Sequence, residues 1–72
     1  MFKDCFGKVL KDGDDVIVSI DNVLYDGIVL KELNDLIIIS YHYWKHRGEI
    51  EHDLQYTSSN LVDGKLLNVY KI

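Results

Sequence analysis

Neither proline nor alanine occurs in this chain, and cysteine occurs once. The best helix former is therefore missing, whereas fifteen valine and isoleucine residues and eight aromatic residues suit a pleated sheet. Hydrophobic residues make up 47% of the sequence, which excludes a disordered chain. With 72 residues, the sequence predicts a single all-β domain over residues 1–72.

The low numbers of cysteines, of basic residues and of long apolar stretches exclude three classes of protein. One cysteine, Cys5, can form neither an internal disulfide nor a four-cysteine zinc site. A net charge of −4 argues against a protein that coats nucleic-acid phosphate without specificity, since such binding needs excess positive charge. No signal-like segment follows Met1, and no stretch approaches the roughly 18 apolar residues of a membrane span. We therefore expect a cytoplasmic protein without membrane association.

Short apolar runs between glycine and Asp/Asn clusters predict five strands, at residues 16–20, 24–33, 36–44, 49–56 and 66–70. The third of these segments has the strongest strand signal in the sequence. Its residues 36–39 are all apolar, which favours a strand covered on both faces. Gly27 predicts a bulge or sharp bend in the second strand, and residues 57–60 predict a helical turn. The expected architecture is a small, strongly bent, five-stranded antiparallel barrel with a short helical turn before its last strand.

The hairpin between the third and fourth strands can be tested by parity. An odd-numbered apolar set faces an even-numbered one only if the loop has an even number of residues. Two-residue loops at 46–47 or 47–48, or a four-residue loop at 45–48, satisfy this condition. The two sets are Ile37, Ile39, Tyr41 and Tyr43 on one strand, and Ile50, His52, Leu54 and Tyr56 on the other.

The first forty residues carry an Asp-x-x-Gly entry at 4–7, Gly-Asp-x-Val at 13–16 and Leu-x-x-Gly-x-Val at 24–29. This pattern resembles small Src-homology-3-like barrels of the KOW and Tudor type, including short barrel proteins that many tailed bacteriophages encode. The resemblance implies a phage accessory protein that binds a protein of the bacterial host. Sm-like proteins share the strand–turn–bent-strand rhythm, but their amphipathic N-terminal helix is absent here. A plain barrel is therefore favoured, and its oligomeric state is open.

The best candidate binding site is the predicted hairpin tip. Aromatic and cationic side chains at one projecting end could stack a base and hold a phosphate, which makes RNA or DNA the alternative partner. Equally, the cations could neutralise Glu49 and Glu51 across the hairpin while Trp44 caps the barrel. The candidate residues are His42, Trp44, Lys45, His46 and Arg47.

Other chemistries find weaker support. A metal site would need His42, His46 and His52 to converge with Glu51 or Asp53, but parity places His52 on the apolar face, away from His42. Cys5 has no evident group to activate it and is interpreted as a packing residue. We expect no metal, no cofactor and no enzymatic activity. Acidic residues could mimic nucleic acid towards a basic host protein; they are Asp12, Asp14, Asp15, Asp21, Asp26, Glu49, Glu51 and Asp53.

Overall fold

The structure is a computed structural model that describes residues 1–45 and 48–72, with side chains described except at residues 43–45 and 49. Its five antiparallel strands form one sheet, and a 3-10 turn, Ser58–Asn60, precedes the last strand. The predicted all-β class and the helical turn are confirmed. The strands are β1 (Asp15–Ile20), β2 (Val23–Glu32), β3 (Leu36–Lys45), β4 (Gly48–Thr57) and β5 (Val69–Lys71).

The strand order is β4-β3-β2-β1-β5, so β4 and β5 are the two edge strands. A side chain links the two ends of this order. The amide nitrogen of Asn68 lies 2.7 Å from the Tyr56 hydroxyl oxygen on β4 and 3.3 Å from the Ser19 carbonyl oxygen on β1. The sheet therefore curls far enough for the Tyr56 side chain of one edge strand to reach Asn68, the residue that precedes the other. Closure into a barrel by backbone pairing stays a prediction.

The predicted pairing of the β3–β4 hairpin is confirmed. Ile37 lies opposite Tyr56, and Tyr41 lies opposite His52, so the odd set faces the even set as parity requires. The last pair before the tip is Lys45 with Gly48. That pair is consistent with the two-residue loop at 46–47, which lies outside the described residues.

The core lies against one face of the sheet, here called the inner face. The entry segment (residues 1–14) contributes Phe2 and Leu10 to this core, where they join buried residues of β1, β2 and β3. This segment therefore covers part of the inner face. Alternation along β3 is clear, because Ile37 and Ile39 are buried whereas Ile38 between them is half-buried. The nine buried apolar residues are Phe2, Leu10, Val16, Val18, Val29, Ile37, Ile39, Leu66 and Val69.

Three sequence expectations need correction. Residues 36–39 are not equally covered on both faces, since Ile38 on the outer face retains partial exposure. The bulge in β2 falls between Val29 and Lys31, at the exposed residue Leu30, and not at Gly27. The last strand begins at Val69 and not at 66, because the Leu66 N–H is held by the carbonyl of Lys3, 2.8 Å away, instead of a strand neighbour.

Gly27 has a different role from the one predicted. A Cβ atom at this position would lie 2.8 Å from the carbonyl oxygen of Ser40 on β3, closer than real Cβ atoms come to other atoms. Gly27 is opposite Tyr41 in the β2–β3 register. A residue without a side chain is therefore required for the close approach of the two strands, as glycine within a strand often is.

Asp4 is fully buried and fastens the entry segment to β5. Its Oδ1 accepts the backbone N–H groups of Phe6 at 3.0 Å and Lys8 at 2.7 Å, and its Oδ2 accepts that of Lys71 at 2.8 Å. Burial raises the pKa of this carboxyl, but the three N–H donors and the charge of Lys8 outweigh it. The pKa of Asp4 therefore lies below its ordinary value, and the buried side chain is an anion satisfied by backbone.

Candidate protein-binding face

The predicted hairpin-tip site is only partly described. His42 is half-buried on the outer face, opposite Glu51. The backbones of Trp44 and Lys45 pair with β4, but their side chains are outside the described part. The tip residues His46 and Arg47 also lie outside the described residues. The structure thus places one of the five candidate side chains, and the tip hypothesis remains a prediction.

The face of the sheet opposite the core, here called the outer face, carries a continuous row across four strands. Asp15 on β1 lies opposite Ile28 on β2, which lies opposite Ser40 on β3, which lies opposite Asp53 on β4. Opposed residues of neighbouring strands point to the same side of a sheet. The row therefore places a carboxylate at each end and apolar or buried residues between them.

A second row on the same face lies closer to the tip of the β3–β4 hairpin. Tyr70 on β5 lies opposite Ile17 on β1, which lies opposite Asp26 on β2. Glu51 on β4 belongs to the same face, because it is two residues from Asp53 on the strand. Four exposed carboxylates, those of Asp15, Asp26, Glu51 and Asp53, therefore share the outer face with the half-buried isoleucines 17, 28 and 38.

One of these carboxylates is held in place by a buried hydroxyl. The Ser40 side chain, fully buried at the middle of the outer face, donates a hydrogen bond to Glu51 Oε1 over 2.6 Å. The bond satisfies a hydroxyl that would otherwise be costly to bury. It also restricts the Glu51 carboxylate to the diagonal between β3 and β4, so this charge is fixed on the surface.

Apolar side chains extend the outer face beyond the edge of β5. Phe6 of the entry segment and Tyr70 of β5 are 72% and 40% exposed. Their rings meet edge to face, with centroids 5.5 Å apart and planes at 80°. This contact continues the apolar surface from Ile17 through Tyr70 to Phe6. Exposed aromatic residues next to half-buried aliphatic ones are typical of a surface that binds another protein.

The balance of charge on this face is negative. Against its four described carboxylates, Lys31 opposite Ile38 is the lone lysine or arginine that the register places here, counting the strand residues whose side chains are described. A surface that combines isoleucines with carboxylates complements a partner that offers apolar and basic groups together.

Two acids of the proposed nucleic-acid mimic have structural partners instead. Asp12 Oδ1 accepts the Glu32 N–H at 2.6 Å. Asp14 Oδ2 accepts the Lys11 N–H at 2.8 Å and lies 3.3 Å from Lys71 Nζ. The pKa of Asp14 lies below its ordinary value, because the Lys11 N–H and the Lys71 ammonium lower it by more than partial burial raises it. The acidic turn therefore anchors the entry segment, whereas Asp15, Asp26, Glu51 and Asp53 of the same set are exposed on the outer face.

The inner face continues past the core as a row of aromatic rings. Tyr25 and Tyr41 have ring centroids 5.1 Å apart, and Tyr41 stacks on the imidazole of His52 with centroids 5.9 Å apart. The predicted place of His52 on the face away from His42 is confirmed, although its side chain is exposed. The three rings lie on β2, β3 and β4 and lead towards the hairpin tip.

Sequence reasoning named the four acids but did not place them beside the isoleucines of the outer face. Their alignment depends on the β1–β2 register and on the bulge at Leu30, after which Lys31 and not Leu30 lies opposite Ile38. Alternation of Asp26 with Ile28 along β2 was the available signal. It became informative only once β1 was placed beside it.

Within the described residues, no group of three His, Cys, Asp or Glu side chains is arranged to hold a metal ion. The described part of the chain also contains no helix that is long and apolar enough to cross a membrane. Comparison of the chain with protein-family models, with curated proteins and with solved structures finds no match.

Proposed function

We propose that the chain is a small, non-enzymatic binding module whose partner is a protein with a basic and partly apolar surface. The observation that supports this proposal is the outer face, where four exposed carboxylates lie among half-buried isoleucines and an exposed Phe6–Tyr70 pair adjoins them. Complementary charge steers encounter and selects the partner, while the apolar centre supplies most of the affinity.

The resemblance of the first forty residues to short phage barrels favours a bacterial host protein as that partner, bound in the host cytoplasm. The Src-homology-3-like barrel is part of the same proposal. Its support is the strand order with β5 beside β1 and the 3-10 turn between β4 and β5. A scaffold of this kind does not determine the partner, so the identity of the bound protein must come from the face itself.

The test is capture of a partner from a bacterial lysate with three immobilised forms of the protein. Wild type and the exposed-turn variant Asp35→Lys should retain the same stoichiometric protein. Asp15→Lys, which has the same charge change but lies on the outer face, should lose most of it. Equal retention by Asp15→Lys and Asp35→Lys, or the absence of any stoichiometric partner, contradicts the proposal.

Binding of single-stranded nucleic acid is a second candidate, favoured by the row of Tyr25, Tyr41 and His52. Aromatic rings at such spacings can stack bases, and the predicted cations at the hairpin tip could hold phosphate. A gel-shift assay with single-stranded RNA and DNA at two salt concentrations tests it. Binding that weakens as salt rises supports this candidate, and no shift at low salt rejects it.

A further inference from the structure

The two edges of the sheet are not equally available to a partner. The edge at β5 is occupied by the entry segment, since the Cys5 N–H donates to the Val69 carbonyl at 2.8 Å and Asp4 accepts the Lys71 N–H. For β4, the described residues show backbone hydrogen bonds only to β3. One edge is thus covered, whereas β4, which is ten residues long, has no second strand beside it in the described sheet, and at its end the Thr57 N–H donates to Asn60 Oδ1.

Most of that open edge lies away from the point where the sheet curls on itself. Contact between the two ends of the strand order occurs at Tyr56, through Asn68. Residues 48–53 lie at the opposite end of β4, towards the hairpin tip. An extended segment could add to these residues without displacing the contact at Tyr56.

Acidic residues occupy every second position along this part of β4. Glu51 and Asp53 belong to the outer face and Ile50 to the inner face, and Glu49 falls in the same register as the two acids. If β4 of a second copy paired antiparallel with this edge, with the middle residues of the two strands opposite each other, carboxylates would lie beside carboxylates, which is unfavourable. Charged residues on an edge strand normally oppose self-pairing in this way. The same pattern complements a strand with lysine or arginine on alternate residues.

We propose that residues 48–53 of β4 accept an extended segment of the partner as an added strand, with basic side chains on its outer face and apolar ones on its inner face. This inference rests on the proposed protein-binding function and specifies the form of the bound segment. Backbone hydrogen bonds to the edge supply affinity, and the pairing of lysine or arginine with Glu51 and Asp53 supplies selectivity.

The probe is a fluorescent, end-capped ten-residue peptide that alternates lysine with valine. Three matched peptides accompany it: one alternates glutamate with valine, one has the same residues in blocks, and one is N-methylated at two adjacent central residues. Methylation at adjacent positions removes a donor from the shared edge whichever direction the added strand runs, and it leaves every charge in place. Fluorescence anisotropy measures affinity, and amide hydrogen exchange locates the site.

Binding of the lysine–valine peptide should protect amides of residues 48–53 and should weaken at least about tenfold with the N-methylated peptide. Asp53→Lys should weaken it by a similar factor and Asp35→Lys should not. No binding, equal binding of the N-methylated or block peptide, or protection confined to other strands overturns the inference. So does a concentration-dependent dimer in analytical ultracentrifugation that protects the same amides without peptide, because the occupant would then be a second copy.

The two tests fail separately. If lysate capture depends on Asp15 while the N-methylated peptide binds as well as its parent, the outer face binds protein but β4 does not accept a strand. If the peptide result holds and capture is insensitive to Asp15, strand addition stands and the broader role of the outer face is rejected.

Discussion

The two edge strands of this sheet are protected by different means. β5 has three residues, and it is held by a segment with little regular structure of its own, through the Asp4 carboxylate and the Cys5 N–H. β4 has ten residues, and its described backbone pairs with β3 on one side while acids alternate along it. A small domain can therefore complete one edge with a buried anion and protect the other with exposed ones.

This difference predicts where substitutions will cost most. At the β5 edge the charge is desolvated, so its partners depend on it. At the β4 edge the charges are solvated and contribute little to folding. The same residue type, aspartate, should therefore be critical at position 4 and dispensable at position 53.

The largest effect is expected from Asp4→Ala. It leaves the N–H groups of Phe6, Lys8 and Lys71 without their acceptor and should lower the free energy of unfolding by about 3–5 kcal/mol. A domain of this size has only about 4–11 kcal/mol in total. Asp4→Asn keeps the shape of the side chain, but its amide N–H group then faces a backbone N–H group, so that two donors oppose each other. This variant should cost about 2–3 kcal/mol. Urea unfolding measures both, with exposed Asp35→Asn as the control.

Asp4 also predicts how stability depends on pH. Because its pKa is lower in the folded state than in the unfolded state, its contribution is complete above the unfolded-state value of about 3.9. That contribution is lost as pH falls from there through the folded-state pKa. Asp14 acts in the same direction. Wild type should therefore lose stability below about pH 4 more steeply than Asp4→Asn, as urea unfolding at pH 7 and pH 3 can show. Parallel losses would contradict this assignment.

The next largest effect is expected at Gly27, where the covered part of the inner face passes into the aromatic row. Replacing glycine by alanine in a strand that can accept it would add stability by reducing the entropy of the unfolded chain. Here the new Cβ would meet the Ser40 carbonyl oxygen at 2.8 Å. We expect Gly27→Ala to cost about 1–3 kcal/mol in chemical denaturation. Exposed Asp26→Ala on the same strand is the control, and a gain in stability for Gly27→Ala would show that β2 and β3 are farther apart.

A smaller effect is expected where the two ends of the strand order meet. Tyr56→Phe removes the hydroxyl that lies 2.7 Å from the Asn68 amide nitrogen, while Asn68 keeps its contact with Ser19. The loss should be about 0.5–1.5 kcal/mol by thermal or urea unfolding. Tyr70→Phe is a matched control, since it preserves the ring contact with Phe6. A cost no greater than that of the control would mean that Asn68 does not join the two ends.

The sequence was sufficient for features that depend on near neighbours. Parity predicted that the apolar sets of β3 and β4, with Ile39 and Leu54 among them, share one face, because a short loop connects the strands, while the exact register was left open between three loops. The buried role of Asp4 was beyond reach, since its Oδ2 binds a backbone N–H 67 positions away. The bulge at Leu30 was likewise hidden, because nothing in β2 alone shows which residue β3 will leave unopposed.

The outer face shows the same limit for function. Its acids recur at every second residue of β4, and Asp26 stands two residues before Ile28 in β2, yet the rows exist only when β1 and β5 lie beside them. The hairpin tip was the predicted binding site because Trp44 and Arg47 are an aromatic and a cationic residue that can be recognised from the sequence alone. The outer face has no rare residue at its centre, so its signal lies in alignment between strands.

The smallest effect completes the comparison of the two edges. Asp53 is exposed on β4, and its neighbour across the sheet, Ser40, makes its hydrogen bond to Glu51. Asp53→Lys should therefore change the free energy of unfolding by no more than about 0.5 kcal/mol. The variant should unfold in urea at the wild-type midpoint while binding the lysine–valine peptide at least about tenfold more weakly. A large loss of stability would make Asp53 structural like Asp4, and the two edges would then be protected by the same means.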